Sequence, residues 1–371
     1  MTQAVPVSAE APPAATPPEL DTAPGRRTGW RRLMAFGPLV ALVVAAILPY
    51  SNVRLPGIFD GELNSPGTLQ LLATCLVFGG LAAGYDLLFG RTGLLSFGHA
   101  LYFAAGIYGT DVLVTRAGLP LWQAAVFALV GSTTLAALLG AIALRTAGIA
   151  FAMVTLAFAQ VGAILVARDF GGLTGGEEGL PIASDGLPDF LLGVANTVNL
   201  YWLALAYVTV VVFVVARVAG SPTGRVLAGL RDDERRVGVL GLDPYRYKLV
   251  AFTLAGGLAA LGGVVYVLVV GGASPHVTSS ELTLSLLVMV VLGGPGTRWG
   301  PVIGGILYMY LDNRLTHLAT DLPGPLSQPL FVLGAIFILA VYFFPGGLAS
   351  LATRVAPIRA ALSRRPPQER R

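Results

Sequence analysis

Charge is what this sequence most lacks. Only 12% of its 371 residues are Asp, Glu, Lys or Arg, against roughly 25% in a soluble domain. Half the usual charge cannot solvate a globule of this size, so lipid is the main solvent. Hydrophobic residues make up 55% of the chain, and the mean hydropathy is +0.74. Lysine is almost absent: Lys248 is the sole lysine beside 23 arginines, a bias that fits GC-rich codon usage. A single cysteine, Cys75, excludes an intrachain disulfide framework and a cysteine metal cluster. Its apolar neighbours, Leu72 to Val77, make it packing bulk inside a helix. No GxxxxGK[ST] occurs, so this chain does not itself cradle ATP phosphates. No HExxH occurs either. Ser96 and His99 share a turn, but nothing nearby orients the histidine, which argues against a nucleophilic pair. No catalytic residue, metal or cofactor is expected in this chain, and no nucleic acid among its partners.

What the sequence does have is long apolar runs. Crossing about 30 Å of hydrocarbon takes about 20 apolar residues. Residues 1–29 are rich in Pro, Ala, Thr and Glu, and are expected to be a disordered cytoplasmic tail. The first run, Leu33 to Tyr50, follows Arg26, Arg27, Arg31 and Arg32. A cleaved signal peptide competes for it, but the leader is long and lacks a clear small-x-small cleavage site. Nine further runs begin near Thr68, Phe97, Leu121, Gly148, Leu200, Tyr247, Leu282, Pro301 and Pro329. They end near Leu88, Val114, Leu144, Val166, Ala216, Val270, Leu292, Leu311 and Phe344. The expectation is an all-α membrane protein with about ten transmembrane helices over 30–348. The eighth and ninth runs span only about eleven residues each. They fit two steep short helices or one re-entrant hairpin.

Charge tests this count independently. With the N-terminus inside and ten alternating helices, 20 of the 24 basic residues fall in cytoplasmic segments. Arg54, Arg116, Arg168 and Arg314 remain outside. Basic residues favour the cytoplasm, so both termini are expected there, with 349–371 as a basic tail. Trp30, Trp122, Trp202 and Trp299 all fall near expected helix ends, where indole rings prefer to sit.

The longest inner loop, 219–247, separates the sixth and seventh runs. Val226, Leu227, Leu230, Val237 and Leu240 recur at intervals of mainly three and four. Charged residues fill the gaps, so a short amphipathic helix or helix pair is expected on the cytoplasmic face. It suits either a connector touching anionic lipid or a docking element for a soluble partner. The longest outer loop, about 167–199, is acidic and glycine-rich. It suits a pore cap or partner contact as well as a solvated linker. Two inner turns, Gly90 to Ala100 and Gly293 to Pro301, are glycine-rich. Broken helices of this kind line substrate paths in transporters. Within the runs, Gly79, Gly80, Gly84, Gly256, Gly257, Gly262 and Gly263 suit close helix packing. Asp86, His99 and Asp111 lie near run ends, where an ionisable group is a functional candidate. His99 is a candidate polar anchor in its turn, and a group so near a run end can equally snorkel or reach loop water. No chain of buried acids or arginines crosses the membrane centre, which argues against a proton- or sodium-driven carrier.

Several segments together resemble the permeases of ABC importers for branched-chain amino acids. They are GYDLLFGRTGLLSFGHALYFAAGIYG (Gly84 to Gly109), LRTAGIAFAMVTLAFAQ (Leu144 to Gln160), LTGGEEGL (Leu173 to Leu180), the stretch from Ser221 through Gly263, LGGPGTRWGPVIGG (Leu292 to Gly305) and FFPGGL (Phe343 to Leu348). The resemblance runs from about Leu71 to Leu348, and length and the LTGG loop favour the second of the two paralogous permeases. It implies a cytoplasmic coupling helix over Thr223 to Gly241, between helices six and seven, docking on an ATPase. Thr223, Gly224, Arg225, Arg231, Glu234, Arg236 and Gly241 are its candidate coupling residues. Arg235, Val237 and Gly238 depart from the Ile, Ala and Glu often found there. It implies a path along Gly93, Ser96, Gly98, His99 and Gly294, and an outer gate or binding-protein contact at Thr174, Gly175, Gly176 and Glu177. Two ATPase subunits, a paralogous second permease, an extracytoplasmic solute-binding protein and lipid are the implied partners, in a bacterial inner membrane. Alternating access is the implied mechanism, and helices two to five would repeat inverted as seven to ten. Urea or short amides remain alternative cargo. A stand-alone carrier, or a membrane enzyme using Ser96 and His99, is the alternative class.

Overall fold

The computed structural model describes residues 42–51, 61–191, 193, 196–319, 328–343 and 346–349. The tail 1–29, the first apolar run up to residue 41, Trp30, Arg54 and the basic tail beyond residue 349 lie outside the described residues. The chain divides into two units, Met1–Ala45 and Ala46–Arg371. Described residues 42–45 of the first are helical.

The second unit is helical almost throughout. Its helices are α1 (Pro66–Asp86), α2 (Phe89–Thr92), α3 (His99–Thr115), α4 (Leu121–Ala143), α5 (Ile149–Ala167) and α6 (Thr197–Gly220). They continue with α7 (Pro222–Asp232), α8 (Glu234–Val239), α9 (Pro244–Val270), α10 (Ser280–Gly293), α11 (Gly300–Ala319) and α12 (Pro329–Phe343). Among the described residues, five stretches are long and apolar enough to cross a membrane: Pro66–Thr92, α4, α5, α6 and α9. Shorter apolar helices lie at Ser280–Gly293 and Leu330–Phe343. The inner loop forms a helix pair, α7 and α8, rather than one helix.

Local chemistry starts these helices where they start. Ser65, Ser221 and Asp243 each cap a helix by accepting a backbone N–H, and proline follows in each case. Proline suits the first turn, where its missing N–H leaves no bond unmade. Ser279 caps α10 in the same way, accepting from Leu282 N at 3.3 Å.

Helices α1 and α9 form the buried centre, whereas much of α4 and α5 is exposed. Cys75 is buried in α1 as packing bulk. Lipid tails are as apolar as leucine, so association depends on close packing through small residues. Gly106 lies against the Ala260 carbonyl, and Gly263 against the Phe103 carbonyl, bringing α3 and α9 backbone to backbone. Gly305 places α11 on α1 in the same manner, at the Phe78 carbonyl.

The ninth run is longer than its hydropathy suggested. Helix α11 has 20 residues, not eleven. Asp312 and Arg314 end the apolar run, but the helix continues through them. Arg314 Nε donates to Tyr310 Oη at 3.3 Å, which gives the charge a local partner. Helix α10 has 14 residues, about 21 Å at 1.5 Å per residue. It packs antiparallel on α11, with Tyr308 Oη donating to Ser285 Oγ at 3.0 Å. The pair is therefore one shorter and one longer helix joined by the glycine turn.

At the other end, Leu180 pairs with Ala273 and Pro181 with Gly272 in a two-residue antiparallel ladder. Asp111 Oδ2 accepts from Ala273 N at 3.0 Å. Thr115 Oγ1, itself donating to Asp111 Oδ1 at 3.0 Å, accepts from Ala183 N. The loop after α5 is thereby pinned to the ends of α3 and α9.

Candidate functional site

The candidate residues fall into three clusters along the helices. The first joins both inner turns to the helix pair. Asp86, at the end of α1, is 1% exposed. Its Oδ1 accepts from Gly296 N at 2.7 Å, and its Oδ2 lies 3.7 Å from Arg91 Nε. Arg91 Nη2 donates to the Thr297 carbonyl at 3.4 Å. Arg231 Nη1, from α7, donates to the Gly90 carbonyl. A cavity of 360 Å³ lies beside these groups, lined in part by Gly90, Arg91, Gly224, Arg225, Arg231 and Gly296. Gly90 is required here, because a Cβ would overlap Asp86 Oδ1 and Gly296 N.

The helix pair divides its residues between inside and outside. Leu227, Leu230 and Val237 are buried against the helices. Arg231 is exposed overall, but its guanidinium reaches the Gly90 carbonyl, and Glu234 pairs with Lys248 at 2.6 Å. Gly224 fits a turn where a Cβ would meet the Val218 carbonyl. Arg225 and Arg236 are exposed, and Thr223 is half-buried. Gly241 holds a left-handed φ of 81°. Just before it, Val239 is 88% and Leu240 77% exposed, an apolar tip facing outward.

The second cluster is the inner turn 93–98 and the start of α3. Gly93 has φ 75° and lies against Arg231. The Ser96 carbonyl accepts from Tyr85 Oη at 3.0 Å. Thr155 Oγ1 accepts from Phe97 N at 3.1 Å, and a Cβ on Gly98 would clash with the Thr155 carbonyl. Thr283 Oγ1, near the start of α10, accepts from Ala100 N at 3.1 Å. Thus α3 and α10 begin beside each other, each after an irregular segment. The candidate role of His99 as a polar anchor is not what the structure shows. His99 is fully buried, and its ring nitrogens have no hydrogen-bond partner. Its ring instead packs 5.1 Å from Tyr85 and 6.3 Å from Tyr102. Threonine hydroxyls hold the turn. Gly294, with φ 110°, belongs to the other inner turn, where a Cβ would meet the Gly346 carbonyl.

The third cluster is the outer turn. Asp169 Oδ1 accepts from Thr174 N at 2.8 Å, Gly175 N at 3.0 Å and Thr174 Oγ1 at 3.1 Å. Thr174 Oγ1 also donates to the Val166 carbonyl at 2.9 Å. Gly175 and Gly176 adopt positive φ, as the tight turn requires. Gly176 is buried and Glu177 exposed. The Thr174 N–H foremost, with the other donors, holds the Asp169 carboxyl below its ordinary value. A depressed carboxylate stabilises the turn above its unfolded pKa, and the effect is lost as pH falls through the folded value. The turn should therefore stay ordered at pH 5 and loosen only in stronger acid. Hydrogen exchange of 169–180 across pH checks this; Asp169→Ala should raise exchange there at neutral pH.

Asp86 stood out in the sequence only as an ionisable group near a run end, and Gly90, Arg91, Gly296, Thr155 and Thr283 were not singled out as site residues. Their roles depend on partners far along the chain. Only the glycine-rich turns, and the stretch containing Thr155, gave a signal.

Comparison with known proteins covers all three clusters. The family described as branched-chain amino acid transport system / permease component matches residues 67–341. The high-affinity branched-chain amino acid transport system permease protein LivM of Escherichia coli K12 is 27% identical over 333 residues, covering 84% of this chain and 74% of that protein. Its Salmonella typhimurium LT2 counterpart is 27% identical over 306 residues, 76% of this chain and 70% of its own length. The autoinducer 2 import system permease protein LsrC of Escherichia coli DH10B is 30% identical over 180 residues, 47% of this chain and 50% of that protein.

Proposed function

Since this chain belongs to the family of branched-chain amino acid transport system permease components, we propose that it carries branched-chain or related amino acids through an ATP-driven importer. It is an ABC importer permease of the inner membrane, a transport subunit rather than an enzyme. Ten spans with both termini cytoplasmic complete the proposed topology. Two ATPase subunits, a second permease and an extracytoplasmic binding protein are its proposed partners. ATP chemistry resides on the ATPases, and this chain needs no cofactor.

The observation that carries the reading is the linkage of α7 to both inner turns through Arg231, Gly90, Asp86 and Gly296. ATP-driven closure would push on the exposed Val239–Leu240 tip. The inward-facing Arg231 would pass that push to the turn before α3 and the turn before α11. Helix α3 begins against Thr155 and Thr283, so displacement there opens the path along Ser96, Gly98 and His99. The outer turn around Thr174 to Glu177 meets the binding protein. Amino acids are preferred over other cargo because likeness to the LivM proteins spans most of this chain, whereas likeness to LsrC spans under half.

The test is purification with the chain's genomic neighbours. A P-loop ATPase should accompany the solubilised protein, and uptake in proteoliposomes should require ATP. Absence of such an ATPase, with uptake surviving ATP depletion, overturns the reading. Calorimetry on the binding protein with leucine, other amino acids and urea identifies the cargo. Glu234→Ala and Gly241→Ala should both lower transport-linked ATPase activity while membrane insertion persists. Replacing Gly241 costs about 1–2 kcal/mol locally, because only glycine adopts left-handed φ freely. Unchanged uptake in both variants would remove this loop from the coupling route.

A further inference from the structure

We infer that the cavity between α7 and the inner turn at Gly90 is a binding site for a singly charged phosphate group, carried by an anionic phospholipid or free in solution. This site goes beyond the importer reading and does not depend on it. Three guanidiniums line the cavity: Arg91, Arg225 and Arg231. Only two carboxylates answer them. Asp86 serves Arg91 and Gly296 N, and Asp232 lines the cavity itself. One positive charge is left over. Arg225 is exposed, and among the described residues no hydrogen bond or ion pair holds its side chain. Arg225 and Asp232 stand seven positions apart on α7, about 10 Å along its axis. Arg231 spends Nη1 on the Gly90 carbonyl, one of the five N–H groups of a guanidinium. The Nε of Arg91 is buried and donates no hydrogen bond.

Free guanidinium forks match phosphate oxygens two at a time. An excess of one positive charge matches a phosphodiester, which carries one negative charge. The 360 Å³ of the cavity far exceeds the about 30 Å³ of a water, so a polyatomic anion has room. The surroundings favour the lipid as its source. Val210, Val214 and Val218 recur every four residues along α6 and form one ridge. Val218 lines the cavity, and Val210 is 45% exposed. The ridge therefore runs from the apolar surface of the span to the cavity. A lipid with its phosphate among the arginines lays an acyl chain along that ridge. Basic pockets at the ends of membrane helices hold anionic headgroups in this way.

The test is hydrogen exchange of segment 219–232 in the full-length chain, purified with whatever accompanies it and placed in phosphatidylcholine nanodiscs. Nanodiscs offer both leaflets, so the result does not depend on the proposed orientation. One arm adds phosphatidylglycerol in rising fraction, a second adds inorganic phosphate, and a third adds chloride at matched ionic strength. Saturable slowing by phosphatidylglycerol identifies the lipid as the source; saturable slowing by phosphate alone identifies the free anion. Arg225→Gln should raise the half-saturating amount about tenfold, equivalent to 1.4 kcal/mol. Arg235→Gln removes the same charge from the exposed face of α8, outside the cavity, and should leave that amount unchanged. No slowing in either phosphate arm, equal slowing by chloride, or equal weakening by both variants overturns the site. Full protection already present in phosphatidylcholine, and lost when an accompanying ATPase is stripped away, overturns it too, because a protein side chain then fills the cavity. Any of these results in a complex that still takes up cargo with ATP leaves the importer reading intact.

Discussion

Asp86→Ala should abolish uptake and destabilise the protein at once. The carboxylate is buried at the point where α1 ends, and it serves two groups. It accepts from Gly296 N at 2.7 Å and sits 3.7 Å from Arg91 Nε. Removing one partner of a buried pair costs about 3–5 kcal/mol, because the remaining charge is left uncompensated. Arg91 is 18% exposed, so water relieves part of that cost, and the low end of the range applies. Losing the acceptor for Gly296 N adds about 1–3 kcal/mol. Thermal unfolding in detergent, followed by size exclusion, reads the destabilisation; proteoliposome uptake reads the loss of transport. Asp86→Asn should be intermediate, since it keeps an acceptor for Gly296 but loses the charge. Arg231→Ala separates coupling from stability. Its side chain lies at the exposed edge of α7, so melting should change little while uptake falls at least about tenfold, the loss of about 1.4 kcal/mol of coupling. Full uptake by the Arg231 variant would mean that the helix pair reaches the inner turns by another route.

Gly106→Val should yield no monodisperse protein. At this position a Cβ overlaps the carbonyl of Ala260, a backbone atom that cannot rotate away. Gly263 makes the reciprocal contact with Phe103, so the two backbones must separate together. Extra methyl groups in a well-packed core cost about 1–3 kcal/mol, and here the obstacle is main chain on both helices. Separation would also pull α9 from its contacts with α1 and carry Ala100 away from Thr283. Gly131→Val is the control. It lies on the exposed side of α4, where a Cβ meets nothing within 4 Å. Fluorescence-detected size exclusion should show a sharp peak for Gly131→Val and aggregate for Gly106→Val. Equal peaks would mean that α3 and α9 tolerate a wider spacing than their glycines suggest.

Two kinds of information were separable in this protein. The all-helical membrane class was legible in composition and local pattern. Scarce charge and long apolar runs are properties of composition and neighbouring residues, and the cost of placing them in lipid is summed residue by residue. The caps at Ser65, Ser221 and Asp243 act over two or three residues and are equally local, although hydropathy alone placed the first and last of these starts only approximately, near Thr68 and Tyr247. The amphipathic inner loop was legible too, although not which of its arginines turns inward. Long-range packing brings Arg231 to Gly90, 141 positions away. It alone joined Asp86 to Gly296, and Ala100 to Thr283, across 210 and 183 positions. It also carried α11 through Asp312 and Arg314, where hydropathy had ended the run at Leu311. A charge stops an apolar run wherever it occurs, but arginine is a good helix former, and its charge here needs only a polar neighbour. Tyr310 supplies one from the same helix. His99 shows the reverse case, a residue whose chemistry suggested hydrogen bonds and whose surroundings are aromatic rings. Such outcomes depend on which helices pack against which, and in lipid that follows from the close approach of backbones at Gly106, Gly263 and Gly305.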